Sequence, residues 1–274
     1  MRVQRIQIVG RSVSGYATTV ALPEYSLCFD LGMATHEAVQ AEYLAITHGH
    51  LDHFGGLARH GYIRGMTGMH VPKYIVPPWL KASVGQTFEF WSKVQQSRRA
   101  PHASISLSSG ESLDIGHRRI LRPFDTVHRV PSQGYTLCEQ RKRLKPEYQG
   151  LSGHELGKMR RDGVEFEDTF EHPLVSFTGD TEARVFDQVP DRVLKSDVLI
   201  LECTFLSDVS EKEAIKKGHT HIDQLARRAD QFADVKSLVL IHFSKRYRNR
   251  DVEEAVSKLP EALRVKTTFL PLAK

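Results

Sequence analysis

The chain has 274 residues, 40% hydrophobic and 26% charged, with a net charge of +5, a globular composition that permits a polyanionic partner without requiring one. Its three cysteines (Cys28, Cys138, Cys203) are odd in number and widely spaced, which excludes a disulfide scaffold or a cysteine zinc ribbon. With no leader-like opening and no stretch as long as a membrane span, the expectation is a cytoplasmic protein without a membrane partner.

Short apolar runs rich in β-branched residues recur along the chain and read as strands at 5–9, 25–30, 42–48, 73–77, 134–139, 174–180, 197–205 and 237–244. Helical patterns fall between them at 53–64, 79–94, 222–232 and 252–259, mostly behind an Asp or a proline pair. The stretch 102–139 carries strand signals without helices. Strands with helices outside predict one α/β layered sandwich spanning 1–274. Residues 140–173 are polar and basic, with a short helical pattern at 151–161, and read as an arm inserted in that domain. Trp79 and Trp91, in one amphipathic stretch, are predicted to be core.

Histidine is unusually frequent, at 14 residues, and its placement is patterned. Thr47-His48-Gly49-His50-Leu51-Asp52-His53 leaves a predicted strand as H-x-H-x-D-H. Imidazole and carboxylate are donors that zinc prefers, and an irregular turn lets His48 and His50 converge on one ion. Asp52 and His53, at the start of the next helix, then face a second. One segment cannot close two sites, so further donors are needed. His128, Asp180 and His242 each end or interrupt an apolar run in the same way. The count then suits two ions: His48, His50 and His128 for one, Asp52, His53 and His242 for the other, with Asp180 bridging. Asp30, closing the run at 25–30, is placed to accept from a ligand N–H.

This order of residues resembles the metallo-β-lactamase superfamily, which implies its αβ/βα four-layer fold. LECTF (201–205), GHTH (218–221) and IHFSKRY (241–247) resemble the closing motifs of tRNase Z, the endonuclease that trims precursor tRNA 3′ ends. Residues 142–164 are similar to the short arm of plant-type short tRNase Z. The opening differs from that family, with GRSVSGYATTVALPEYS where a loop with Pro, Lys and Arg is usual.

The resemblance implies a two-zinc phosphodiesterase (with Mn²⁺ or another divalent ion as an alternative) acting on precursor tRNA, and a homodimer in which one arm grips tRNA cut by the other subunit. In that chemistry Asp52 takes a proton from the attacking water, and His219, oriented by Glu202, protonates the leaving 3′-oxygen. His219 alternatively is a helix-capping loop residue, Thr204 reads as packing, and His221 either caps the 222–232 helix or touches substrate. Arg141, Lys142, Arg143 and Lys145 on the arm, and Arg246 after the last ligand, are candidate phosphate contacts. Two other functions compete. A small-molecule phosphodiesterase, or a thioester or lactone hydrolase, would keep the metals, and an RNA-binding scaffold would have lost ligands. Thioester hydrolases are expected to carry a further helical domain, for which no length remains after Leu270, and to lack a Glu202–His219 pair.

Overall fold

The computed structural model describes residues 1–272. A small ribbon of β1 (Arg2–Val3) and β2 (Ile6–Gln7) leads into a six-stranded sheet. Its strands lie side by side in chain order: β3 (Val9–Val13), β4 (Ala17–Leu22), β5 (Leu27–Phe29), β6 (Tyr43–Ala45), β7 (Lys73–Val76) and β8 (Ala103–Ser106). A seven-stranded sheet follows, also in sequence order: β9 (Leu113–Asp114), β10 (Arg119–Asp125), β11 (Gln133–Leu144), β12 (Glu167–Phe177), β13 (Val198–Glu202), β14 (Ser237–Ile241) and β15 (Thr267–Phe269). In each sheet the early strands are antiparallel and the later ones parallel. The parallel strands β13 and β14 are covered on both faces, so VLILE and SLVLI are nearly unbroken apolar runs.

Three apolar layers make this a four-layer sandwich. Between the sheets Phe29 stacks on Phe177, with centroids 4.8 Å apart, amid Val20, Leu137, Ile200 and Val239. On the outer face of the first sheet lie α1 (His36–Gln40), α2 (Leu51–Phe54), α3 (Leu57–Met66) and α4 (Lys81–Val94), burying Ala38, Leu57, Val84 and Phe88. The second sheet is covered by α6 (Asp191–Leu194), α8 (Ile222–Arg227), α9 (Asn249–Ser257) and α10 (Glu261–Arg264), through Val193, Leu225, Val252 and Leu263, with α7 (Glu211–Lys217) between β13 and α8 in the chain. The expected αβ/βα architecture is therefore observed.

Several boundaries differ from the sequence reading. The 53–64 helix is two, α2 and α3, broken at Gly55–Gly56. A Cβ on Gly56 would come within 2.8 Å of the Leu31 carbonyl, so the chain turns where only glycine fits. The 222–232 helix gives way after Arg227 to a 3-10 turn, Ala229–Phe232. The 79–94 helix begins only at Lys81, behind a 3-10 turn at Pro78–Leu80. Neither tryptophan is core: Trp79 on that turn is 46% exposed and Trp91 on α4 is 41% exposed, because the turn buries only Leu80 and α4 only Val84 and Phe88.

The arm is the outer half of one hairpin. β11 and β12 stay paired from Tyr135↔Phe177 to Leu144↔Glu167, with a bulge beside Leu137/Cys138, beyond which β11 leaves the core. At its tip stands α5 (Gly153–Arg161), fixed by a capping box in which Ser152 and Glu155 satisfy each other's backbone N–H groups. Because β11 runs antiparallel to β12, the arm leaves from the amino ends of β12 and β13.

Candidate metal centre

The donors collect at the opposite edge. β5 and β6 are parallel neighbours, as are β12, β13 and β14, and β10 runs in the same sense as β12. Their carboxyl ends carry Asp30, the 47–53 loop, His128, Asp180, Thr204 and His242. Ligand sites in open α/β sheets form at this edge because the loops there converge. Two backbone positions show how tightly. Asp30 (φ 54°) and His242 (φ 63°) both adopt the left-handed conformation as their strands end.

The structure brings together all seven residues predicted as ligands. His48, His50, His128 and Asp180 each offer an atom within 4.8 Å of the others, and so do Asp52, His53 and His242. Asp180 faces both groups, 3.8 Å from His48 Nε2, 3.2 Å from His53 Nε2 and 3.3 Å from His242 Nε2. A further grouping joins His219 to Asp180 and His242.

Four of the imidazoles have Nδ1 occupied by a fixed partner. His48 Nδ1 donates to the Thr47 hydroxyl (2.9 Å), whose own hydrogen goes to Asp30 (2.9 Å). His53 Nδ1 donates to Asp30 Oδ2 at 2.7 Å and His128 Nδ1 to the Gly218 carbonyl at 2.7 Å. His242 Nδ1 donates to the Thr204 hydroxyl (3.0 Å), which donates to Glu202 Oε2 (2.9 Å). With Nδ1 so engaged, each ring turns its Nε2 inward. Burial opposes a charge on His53, but Asp180 and Asp30 hold it well above the usual histidine range, so a cation binding there would displace the Nε2 proton. His50 instead presents Nδ1, 3.3 Å from His128 Nε2. Asp30 thus accepts from the Nδ1–H of His53, a proposed ligand.

The charge states follow from these contacts. Burial holds His48, His50 and His128 below the usual histidine range, so they stay neutral, the form that can ligate. Burial favours a neutral Asp180, but His242, His53 and His48 outweigh it and keep the carboxylate ionised. Burial likewise opposes ionisation of Asp52, and the contacts with His242 and His53 override it. Asp52 is further anchored by the Gly15 N–H at 2.7 Å. The donor set fits a divalent ion. His48 Nε2 and Asp180 Oδ1 are buried without a hydrogen-bond partner, a costly state for such atoms unless a cation takes their lone pairs.

Beside the cluster Glu202 is fully buried and accepts from the backbone N–H groups of Thr181 (3.0 Å), Thr204 (3.0 Å) and Thr220 (3.1 Å). It also accepts from His219 Nδ1 at 2.9 Å. Burial disfavours a charged His219, but the Glu202 carboxylate prevails and raises it to about 9. His219 is thus no helix cap. His221 is: its Nδ1 accepts from the Asp223 N–H and its Nε2 donates to the Val209 carbonyl, leaving no atom for substrate.

Thr204 is not a packing residue, since its hydroxyl links Glu202 to His242. Sequence reasoning missed that link and the similar one through Thr47. The only signal was a threonine beside each motif, in THGH and ECT. Of the basic candidates, Arg141 pairs with Glu139 (2.7 Å), Lys142 with Glu167 (3.3 Å) and Arg246 with Asp208 (3.6 Å). Arg143 lies over the Phe170 ring, and Lys145 ends the hairpin.

Comparison with known proteins agrees with this geometry. The beta-lactamase superfamily domain matches residues 29–243. The tRNase Z TRZ1 of Arabidopsis thaliana is 38% identical over 265 residues, which cover 96% of this chain and 94% of that relative. This chain belongs to the tRNase Z family. The chloroplastic tRNase Z TRZ2 of the same plant is 37% identical over 276 residues, covering 100% of this chain and 77% of the relative. Among solved structures, the short form of human tRNase Z superposes with a TM-score of 0.63 at 18% identity, covering 97% of this chain and 96% of that one. YhfI of Bacillus subtilis, a metallo-β-lactamase fold protein, gives 0.63 at 16% identity over 98% and 97%. At such identities these two carry the fold alone. As a member of the tRNase Z family the chain is a hydrolase that uses a divalent metal. None of its described helices is long and apolar enough to cross a membrane.

Proposed function

We propose that this chain is an endoribonuclease that hydrolyses the phosphodiester at the 3′ end of precursor tRNA, using two zinc ions per chain. The observation that carries this reading is the juxtaposition of two donor groups around Asp180 with the Glu202–His219 pair beside them, in a chain 38% identical to a tRNase Z. His48, His50 and His128 would hold one ion, Asp52, His53 and His242 the other, with Asp180 shared. Mn²⁺ or another divalent ion is compatible with the same nitrogen and oxygen donors. When bound, such a pair supplies the positive charge that activates water and offsets charge growing on the phosphate.

The side chains do the proton work. Asp52, held at Oδ2 by Gly15, takes the proton of the attacking water. His219, protonated at neutral pH, gives a proton from Nε2 to the departing 3′-oxygen, while Glu202 keeps Nδ1–H in place. Arg141, Lys142, Arg143, Lys145 and Arg246 contact phosphates of the tRNA.

A homodimer suits the arm's direction. The arm leaves the edge opposite the donors, and from Gln133 to Leu144 the strand carries it about 35 Å away. This direction supports an arm that holds tRNA being cut in a partner. Met66, Phe90, Trp91 and Val94 form an exposed apolar face on α3 and α4 that a second copy would cover. Three buried free cysteines suit a reducing compartment such as the cytoplasm. The test is to incubate the purified protein with a labelled precursor tRNA and, separately, with a generic small phosphodiester. Release of the 3′ trailer is expected; turnover of the small diester alone would refute the RNA reading.

A further inference from the structure

Trp79 is a large aromatic side chain left half exposed in a place where the backbone is rigid. It sits in a Pro77-Pro78-Trp79-Leu80 turn, whose two prolines fix φ and whose 3-10 conformation ends in the helix start at Lys81. Leu80, the next residue, is buried against the ligand loop: a Cβ on Gly49, between His48 and His50, would meet Leu80 Cδ2 at 3.0 Å. The backbone that carries the indole is thus held at a fixed offset from the proposed metal donors.

Trp79 lines one open depression of about 510 Å³ together with Val127, His128, Arg129, Val130 and Pro131. His128 is a proposed ligand, so this depression is continuous with the reaction site. Arg129 is exposed and takes part in no ion pair among the described residues. Its stem lies on the loop that carries His219, since a Cβ on Gly218 would come within 2.9 Å of Arg129 Cγ. The exposed Asp125 on the same wall would repel a phosphate, which leaves the Arg129 side as the place for one.

We propose that this depression is a nucleotide subsite: the Trp79 ring stacks a base next to the scissile phosphate, and the Arg129 guanidinium pairs with the adjoining phosphate. An exposed ring on a rigid turn, a free cation and a shallow open wall form a combination that takes a single-stranded nucleotide with little regard to base identity. This rests on the RNA reading above and adds to it where the strand lies.

The experiment uses the full chain with Trp91→Phe, so that Trp79 is the sole tryptophan emitter. A precursor tRNA and a short single-stranded oligoribonucleotide should both quench its fluorescence. In steady-state cleavage Trp79→Ala should raise KM for precursor tRNA by about 5- to 100-fold, the range of one lost base stack, with the loss in KM rather than kcat. Trp79→Phe should restore most of it, and Arg129→Ala should raise KM and flatten its salt dependence. Metal content and melting midpoint of each variant report whether it folds. An unchanged KM in folded Trp79→Ala, or no quenching by either RNA, overturns the subsite. If the wild type cleaves no precursor tRNA, the underlying reading fails instead, and quenching by the oligoribonucleotide still decides the subsite.

Discussion

His219 Nδ1 lies 2.9 Å from Glu202 Oε1, and the other oxygen of the same carboxylate reaches His242 through the hydroxyl of Thr204. One buried acid therefore fixes both a proposed proton donor and a proposed metal ligand. This coupling separates variants that test chemistry from variants that test metal binding.

His219→Ala should keep its metal, because the ring is not among the proposed ligands, while turnover on precursor tRNA falls about 10²- to 10⁴-fold, as for loss of a general acid. Elemental analysis beside single-turnover kinetics checks this. Loss of metal in this variant would make His219 a ligand.

Glu202→Gln should be less clean. The carboxylate accepts from three backbone N–H groups and from Thr204, and an amide would turn an NH₂ toward some of those donors. A lowered melting midpoint together with reduced activity is expected. Thr204→Val removes only the relay to His242, so metal affinity should fall about 10- to 100-fold with the fold retained. Competition with a chelator measures it. Unchanged affinity would show that the hydroxyl does not orient the ring.

How much of this was legible in the sequence depended on the kind of constraint. The donors were readable because a metal site needs particular residue types, and H-x-H-x-D-H has few other uses. The layered fold followed from apolar runs such as VLILE and SLVLI, whose burial on both faces leaves no doubt about strand type. Tertiary packing was not readable. Gly55–Gly56 breaks a helix because a carbonyl passes close by, and no periodicity encodes that. Trp79 and Trp91 fall in one amphipathic stretch, but Trp79 precedes the helix and α4 buries only Val84 and Phe88. Thr47 and Thr204 are short polar residues whose partners lie 17 and 38 positions away, so their role emerges only in three dimensions.

The arm gives a test of substrate class. Replacing Arg141, Lys142, Arg143 and Lys145 with Ala should weaken precursor-tRNA binding and flatten its dependence on salt, because fewer counterions are released. Hydrolysis of a small diester should change little, since the arm projects from the edge opposite the donors. Equal losses on both substrates would mean the hairpin supports the fold. Filter binding at several salt concentrations supplies the slope.

Acid stability should depend on His60, remote from the donors. Its Nε2 donates to the Ala38 carbonyl at 3.0 Å and its Nδ1 accepts from Tyr74 at 2.7 Å, with the ring fully buried. Burial lowers it from 6.5 to about 4, so folding favours the neutral ring. The stability this confers is complete above the unfolded value and is lost as pH falls from about 6.5 toward about 4. Urea unfolding should therefore steepen with acid by up to about 1.4 kcal/mol per pH unit for this one proton. His60→Gln should show a shallower slope over that window, and identical slopes would contradict the assignment.

The proposed function requires a metal-dependent cut at the 3′ end of tRNA. The direct measurement strips the protein with chelator, restores zinc stepwise, and follows trailer release from one end-labelled precursor tRNA. Cleavage should be absent from the stripped protein and rise until two equivalents per chain are bound. Cleavage that survives chelation, that saturates at one equivalent, or that never occurs would contradict it.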